Sequence, residues 1–168
     1  MSEVFELKQI SASAIGAALE RAERYRLLNE PVEAESICHD VLATDPDNQR
    51  ALVFLLLALT DQFEGSSKCL PAARELLAQL QSEYEREYYS GVICEREAKV
   101  ILGRSIPGSG SVAYEWLRRA MEKYERAEQL RTAGNDEATL RWNTCARIIM
   151  NNPSIKREDS DDTPLQLE

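Results

Sequence analysis

Residues 14–49 read AIGAALERAERYRLLNEPVEAESICHDVLATDPDNQ and contain two amphipathic segments separated by a proline. In the first segment, apolar or small residues recur every three or four positions, the spacing that places them on one face of an α-helix. They are Ile15, Ala18, Leu19, Ala22, Tyr25 and Leu28. Proline disfavours helical geometry in the residue before it and is tolerated in the first turn of a helix. The pattern therefore predicts one helix that ends near Leu28 and a second that begins at Pro31.

The second segment has its own apolar face and a clear end. The face consists of Ala34, Ile37, Cys38, Val41 and Leu42. Residues 44–48, TDPDN, are dense in turn-forming side chains, and Asp47 or Asn48 can cap the next helix. Because the connection between the two helices is short, we expect them to lie antiparallel.

The small and aromatic residues of this hairpin are spaced as in a tetratricopeptide repeat, a unit of about 34 residues, and the hairpin resembles that family. The matching positions are Ala18, Ala22, Tyr25, Ala34, Cys38, Val41 and Pro46. Ala18 stands where the family usually has tryptophan, and Cys38 where it has an aromatic residue. The resemblance implies stacked helical hairpins that bind ligands in a concave groove, lined by the first helix of each hairpin.

The rest of the chain predicts five further helices with looser spacing. The third, residues 49–63, is apolar nearly all round, as expected for a helix buried among neighbours. The others are a helix opening at residues 70–71 whose apolar stripe runs to Tyr84, a helix over 85–103, a helix over about 112–131 capped by Ser111, and a last helix containing Trp142. We therefore expect an all-α domain over residues 11–151, with about three hairpins and a closing helix stacked as a short right-handed superhelix.

The two ends of the chain have different compositions. Residues 1–10 contain Val4, Phe5 and Leu7 and form an N-terminal arm of unresolved role. Residues 152–168 are rich in acidic side chains and have little to bury, so we expect a disordered acidic tail.

Length and charge restrict the class of protein. A chain of 168 residues suits one domain that needs no disulfide or metal for stability. The net charge of −9 argues against nucleic acid and anionic membranes as partners. The N-terminus carries charges where a signal peptide needs an apolar core, and the longest apolar run, residues 51–59, is far shorter than a bilayer span. We therefore expect a cytoplasmic protein.

No residue pattern indicates catalysis, a cofactor or a metal. The sole histidine, His39, has no Cys–His or E-x-x-H partner and is interpreted as a surface residue. The glutamates at 85, 87, 95 and 97 are interpreted as solvated, and the residues 108–110 lack the lysine of a phosphate-binding loop. The cysteines at 38, 69, 94 and 145 form no C-x-x-C pair and are expected to be free buried thiols.

The resemblance implies which residues line a groove. Cys94, Ala98 and Ile101 repeat the spacing of Ala18, Ala22 and Tyr25, which extends the pattern to the fifth helix. The groove candidates obtained in this way are Glu23, Arg26, Arg50, Glu95, Lys99, Asn143 and Arg147. Leu19 and Glu23 stand where the family's best-known clamp for a terminal carboxylate has lysine and asparagine, so that clamp is absent.

The basic groove candidates lead to a functional hypothesis. Arg26, Arg50, Lys99 and Arg147 would make the groove more basic than the chain average, which favours an acidic or C-terminal peptide. We therefore expect a non-catalytic adaptor that binds a protein or peptide. The alternative is a self-association module, a homodimer joined through Trp142 and the apolar face of the last helix. A small-molecule sensor or a helical-bundle enzyme is the third reading.

Overall fold

A computed structural model describes residues 1–159, and within them the protein is all-α, as predicted, with no strand. A single 3₁₀ turn at Ala12–Ala14 precedes seven α-helices. The helices are α1 (Ile15–Leu27), α2 (Pro31–Thr44), α3 (Gln49–Thr60), α4 (Cys69–Leu77), α5 (Glu83–Gly103), α6 (Ser109–Leu130) and α7 (Glu137–Asn151). The last part of the predicted acidic tail, residues 160–168, lies outside the described residues.

Each helix packs against the next along the chain, and α1 also contacts α3. The two longest helices show the direction of this packing. Lys123 Nζ, in the second half of α6, lies 3.2 Å from Glu87 near the start of α5. At the opposite end, Leu102 of α5 and Gly110 of α6 line the same surface cleft. Helices α5 and α6 are therefore antiparallel, as expected for a hairpin.

The buried side chains form two large clusters that meet in the middle of the array. The first lies between α1 and α5 around Leu52 and Leu56 of α3, and the second lies among α5, α6 and α7 around Leu117 and Tyr124. Leu57 contacts both clusters. Eight of the residues of α3 are buried, which confirms the prediction of a helix enclosed by its neighbours.

The boundary between α4 and α5 differs from the prediction. The stripe that we followed to Tyr84 belongs to two helices, because α4 ends at Leu77 and Tyr84 lies in the first turn of α5. The Ser82 hydroxyl accepts a hydrogen bond from the Glu85 backbone N–H at 3.2 Å and so caps α5. A serine followed three residues later by glutamate is a recognised start signal for a helix.

Two other helix starts test the caps that the sequence predicts. The Asn48 side chain accepts a hydrogen bond from the Ala51 backbone N–H at 2.9 Å, so Asn48, one of the two candidates, caps α3. Helix α6 begins at Ser109 rather than Val112, and the predicted cap Ser111 lies inside its first turn. Its hydroxyl donates to the Gly108 carbonyl at 3.0 Å.

The segment after α7 packs against the domain over part of its length. We expected residues 152–168 to have little to bury, but Ile155 is only 4% exposed and belongs to the cluster of α5, α6 and α7. The backbone reaches this position because Gly110 has no side chain. A Cβ at Gly110 would collide with the Ser154 carbonyl.

Within residues 1–159, no helix has both the length and the apolar character needed to cross a bilayer.

The first prediction concerns the contact between α5 and α6. Gly91 lies beneath the ring of Tyr124, which is fully buried, and an added Cβ would stand 2.6 Å from Tyr124 Cε1. We expect Gly91→Ala to lower the free energy of unfolding by about 1–3 kcal/mol, because the rigid ring must move. In the matched control, Gly16→Ala on α1, the new methyl meets nothing within 4 Å. Since alanine favours a helix over glycine by about 1 kcal/mol, the control should be neutral or stabilising. Urea denaturation measures both, and equal stability of the two variants would contradict the predicted clash.

The second prediction concerns the cysteines, of which Cys38, Cys69 and Cys145 are buried and Cys94 is half-buried. Burial, with a smaller contribution from the nearby carboxylates of Glu35 and Glu95, respectively, raises the pKa of the Cys38 and Cys145 thiols to about 12. Because the thiolate is the reactive form, we expect iodoacetamide at about pH 8 to leave both unmodified in the folded protein. Peptide mass spectrometry before and after unfolding in urea tests this. Rapid labelling of either thiol in the folded protein would show that it is accessible.

Candidate partner-binding site

The structure separates the groove candidates into three places. Arg26 lies on α1 and is nearly covered, with 18% of its side chain exposed. Its Nε donates to Asp61 Oδ2 at 2.8 Å, just after the end of α3. The other carboxylate oxygen of Asp61 lies 3.4 Å from Arg96 Nη2 on α5. One carboxylate therefore connects arginines from α1 and α5.

Glu23 and Arg50 form a second, exposed pair. Their charged atoms lie 3.7 Å apart and about half of each side chain is in solvent. The Arg50 guanidinium also lies 5.1 Å from the centre of the Phe54 ring. Exposed pairs of this kind contribute about 0–1 kcal/mol. The two residues thus balance each other's charge at the surface.

Glu95 is the candidate that the sequence placed wrongly. We expected it on a solvated face, but its side chain is completely buried. The predicted register put Cys94 and Ala98 at the crossing of the hairpin helices. In the structure, Gly91 lies directly beneath Tyr124 of α6, so close that an added Cβ would collide with the ring. This crossing turns the Glu95 side of α5 towards α6 and α7.

Three side chains surround the Glu95 carboxylate. The Tyr124 hydroxyl of α6 donates to Oε2 at 2.6 Å, and Lys99 Nζ, one turn along α5, donates to Oε1 at 2.6 Å. Arg141 Nη1 of α7 lies 3.3 Å and 3.4 Å from the two oxygens. The carboxylate thus joins α5, α6 and α7 through charge-assisted hydrogen bonds.

The protonation states in this cluster follow from its contacts. Burial by itself would raise the pKa of Glu95, but hydrogen bonds from Lys99 and Tyr124 and the charges of Lys99 and Arg141 outweigh it, and the pKa is lowered. Burial and the adjacent carboxylate raise the pKa of Tyr124 far above its usual value. At neutral pH Glu95 is therefore ionised and Tyr124 keeps the proton that it donates.

Lys99 also reaches the surface. With 42% of its side chain exposed, it lines a cleft of about 200 Å³ between the end of α3 and α5. The residues of this cleft are Thr60, Asp61, Glu64, Arg96, Lys99, Val100 and Gly103. Within residues 1–159, the buried Nε of Arg96 has no hydrogen-bond partner. The cleft therefore has an exposed ammonium group and, on a neighbouring side chain, an N–H donor that is not used within the described chain.

These contacts form two groups of charges, one around Asp61 and one around Glu95, and we call them together the cationic network because Asp61, Arg96 and Lys99 line the same cleft. It consists of Arg26, Asp61, Glu95, Arg96, Lys99 and Arg141. Its basic side chains outnumber its carboxylates by two, and Glu64, which also lines the cleft, lowers the local excess to one, whereas the chain as a whole has a net charge of −9. An excess of positive charge held on ordered side chains can bind carboxylates of a ligand.

Asn143 and Arg147 lie away from this network. Arg147 is exposed and makes no ion pair within residues 1–159. Since six residues turn an α-helix by about 600°, Arg147 projects from α7 about 120° away from Arg141. The structure therefore does not bring Arg147 together with Lys99.

Four residues of this site were not among the candidates predicted from the sequence. Asp61, Arg96 and Arg141 belong to the cationic network, and Tyr124 donates to Glu95. The contact between Glu95 and Lys99 had a signal, because an acid and a base four residues apart meet on a helix. Arg141 is 46 positions from Glu95, and no local pattern connects them.

Metal binding has no evident site in the described chain. Among residues 1–159, no group of three or more His, Cys, Asp or Glu side chains is placed to hold a metal ion. His39 is exposed, with Nε2 3.5 Å from Glu35 Oε1 in the next turn of α2.

The third prediction concerns the pH dependence of stability. Because the folded-state pKa of Glu95 is lowered, its contribution is fully present above the unfolded value of about 4.3 and is lost as the pH falls through the folded value. We expect Glu95→Gln to cost about 2–4 kcal/mol at pH 7, somewhat less than a fully enclosed pair because Lys99 and Arg141 still reach solvent. The deficit should be smaller at an acidic pH below the unfolded value of about 4.3, because wild-type Glu95 is itself protonated as the pH falls through its lowered folded-state pKa.

Urea denaturation at both pH values measures this difference. The control is Glu23→Gln, which removes a carboxylate from an exposed pair and should cost less than about 1 kcal/mol. A deficit for Glu95→Gln that does not change with pH would contradict the assignment of an ionised Glu95.

Compared with known proteins, the chain matches no family model, no curated protein and no solved structure. The resemblance to tetratricopeptide repeats therefore rests on the sequence pattern alone.

Proposed function

We propose that this protein is a non-catalytic interaction module that binds an acidic peptide segment of another protein along the cationic network. The observation that supports this most strongly is the excess of two positive charges on that network in a chain of net charge −9. An acidic ligand is attracted there, while most of the remaining surface repels it.

The contacts between odd-numbered helices support a repeat arrangement. Helix α1 packs on α3, Asp61 links the end of α3 to α1 and α5, and Arg141 links α7 to α5. Such contacts are expected if the first helix of every hairpin lines a common face. We include in the proposal that the hairpins stack as a short right-handed superhelix resembling tetratricopeptide repeats, with the network on its concave face.

The strength of binding follows from the state of each cation. Asp61 and Glu95 already neutralise part of the network, so a ligand meets partly satisfied charges. Lys99 has three N–H donors, and only one of them is used by Glu95. We therefore expect modest affinity that decreases with salt, and a central role for Lys99.

The fourth prediction tests the ligand class with an array of peptides about 12 residues long that differ in their Asp and Glu content. Acidic peptides should bind preferentially, and raising the salt concentration from about 50 mM to about 300 mM should weaken their binding. Lys99→Gln should weaken the best peptide by about tenfold, equivalent to about 1.4 kcal/mol, as measured by fluorescence anisotropy.

Two control variants locate the site. Lys68→Gln removes an exposed lysine at the start of α4, and Arg147→Gln removes the cation that lies off the network. Both should bind like the wild type. Retention of affinity by Lys99→Gln, or selection of peptides without acidic residues, would refute the proposal. A loss of affinity confined to Arg147→Gln would place the site on α7 instead.

A further inference from the structure

Helix α7 is the last helix within residues 1–159, and one of its sides is not covered by other residues of that range. It packs mainly against α6, and its outward side carries a stripe of residues spaced three or four apart. This α7 stripe consists of Leu140, Asn143, Arg147 and Met150. Leu140 is 59% exposed and Met150 is 73% exposed. The stripe thus has an apolar side chain at each end and a cation between them.

The opposite end of the array has a cleft of about 290 Å³ between α1 and α2. The residues that line this α1–α2 cleft are Ile10, Ala14, Ala17, Ala18, Arg21, Ile37 and Asp40. Its centre is apolar and made mostly of alanines, which permit a second helix to approach closely. Asp40 and Arg21 supply charges at this cleft, and within the described residues neither forms an ion pair.

The two surfaces carry apolar side chains and one pair of opposite charges that can face each other. The apolar side chains Leu140 and Met150 suit a floor of small residues, and Arg147 has in Asp40 a carboxylate of opposite sign. A helix placed in the α1–α2 cleft would continue the array, since each helix of the chain already packs on the next. Terminal helices with a polar outer face keep repeat arrays soluble, and the outer face of α7 is only partly polar because Leu140 and Met150 are exposed on it.

We propose that a second copy of this chain docks its α7 stripe into the α1–α2 cleft, so that Arg147 of one copy pairs with Asp40 of the next. This contact joins two different surfaces, so it can repeat and produce open chains rather than a closed dimer. Two short helical faces bury less than the roughly 1,600 Å² of a standard interface, and each copy has a net charge of −9. The association is therefore weak and requires high protein concentration.

Analytical ultracentrifugation of the whole chain tests this proposal from about 10 μM to about 1 mM, near physiological ionic strength. The average mass of the wild type should rise continuously beyond two copies. Arg147→Asp alone and Asp40→Arg alone should each remain monomeric, because every contact then joins like charges. An equimolar mixture of the two variants should associate again, because every contact between different variants joins opposite charges.

A charge reversal outside the proposed contact controls for the change in net charge. Arg126→Asp changes an exposed arginine of α6 and should associate like the wild type. Arg147 is exposed and Asp40 is half-buried, and circular dichroism shows whether each variant is folded. A wild type that stays monomeric throughout, or a mixture that fails to associate, would overturn the proposal. So would a mass that stops at two copies and responds to Arg147→Asp but not to Asp40→Arg, since that result indicates contact between two α7 helices.

Discussion

The ionised Glu95 carboxylate is the interaction on which the second half of the structure depends. A carboxylate removed from water costs several kcal/mol unless donors replace its hydration. Here Tyr124, Lys99 and Arg141 supply the donors from α6, α5 and α7. Because all three donors must reach the carboxylate at once, they determine how α7 lies against the α5–α6 hairpin. Apolar contacts among Leu117, Cys145 and their neighbours then complete the packing.

The same charges connect stability to recognition. Lys99 neutralises Glu95 inside the domain and presents its remaining donors to a surface cleft. Arg96 and Arg26 share Asp61 in a similar way. The cations are ordered by their buried or half-buried partners, which lowers the entropic cost of holding them in place for a ligand. In an interaction surface of this kind, cations that stabilise the fold through ion pairs keep part of their positive charge for a ligand.

The sequence predicted those parts of the fold that local chemistry determines. Pro31 starts α2, Asn48 caps α3, and most of the nearly continuous apolar run of α3 is buried. The boundary between α4 and α5 was placed wrongly because the stripe from Ala73 to Leu80 continues in register to Tyr84, and periodicity does not reveal a break between two helices. The cap at Ser82 is the signal that does.

The candidate site was less predictable, for a physical reason. The position of Glu95 depends on where α5 crosses α6, and that is decided by the ring of Tyr124 resting on Gly91, a contact between residues far apart in the chain. A rotation of α5 about its axis converts a solvated glutamate into a buried one, and periodicity is equally consistent with both. Arg26 and Lys99 were identified from the resemblance to a helical repeat. Arg96 and Arg141 required the three-dimensional structure.

The most direct test of this account is amide hydrogen exchange of the wild type and Glu95→Gln at neutral pH, resolved by mass spectrometry of peptides. If the carboxylate holds α7 in place, the amides of α7 and of the facing turns of α5 should lose protection in the variant, while those of α2 and α3 keep theirs. Equal protection of α7 in the two proteins would show that apolar packing alone fixes this helix, and would contradict the central role of Glu95.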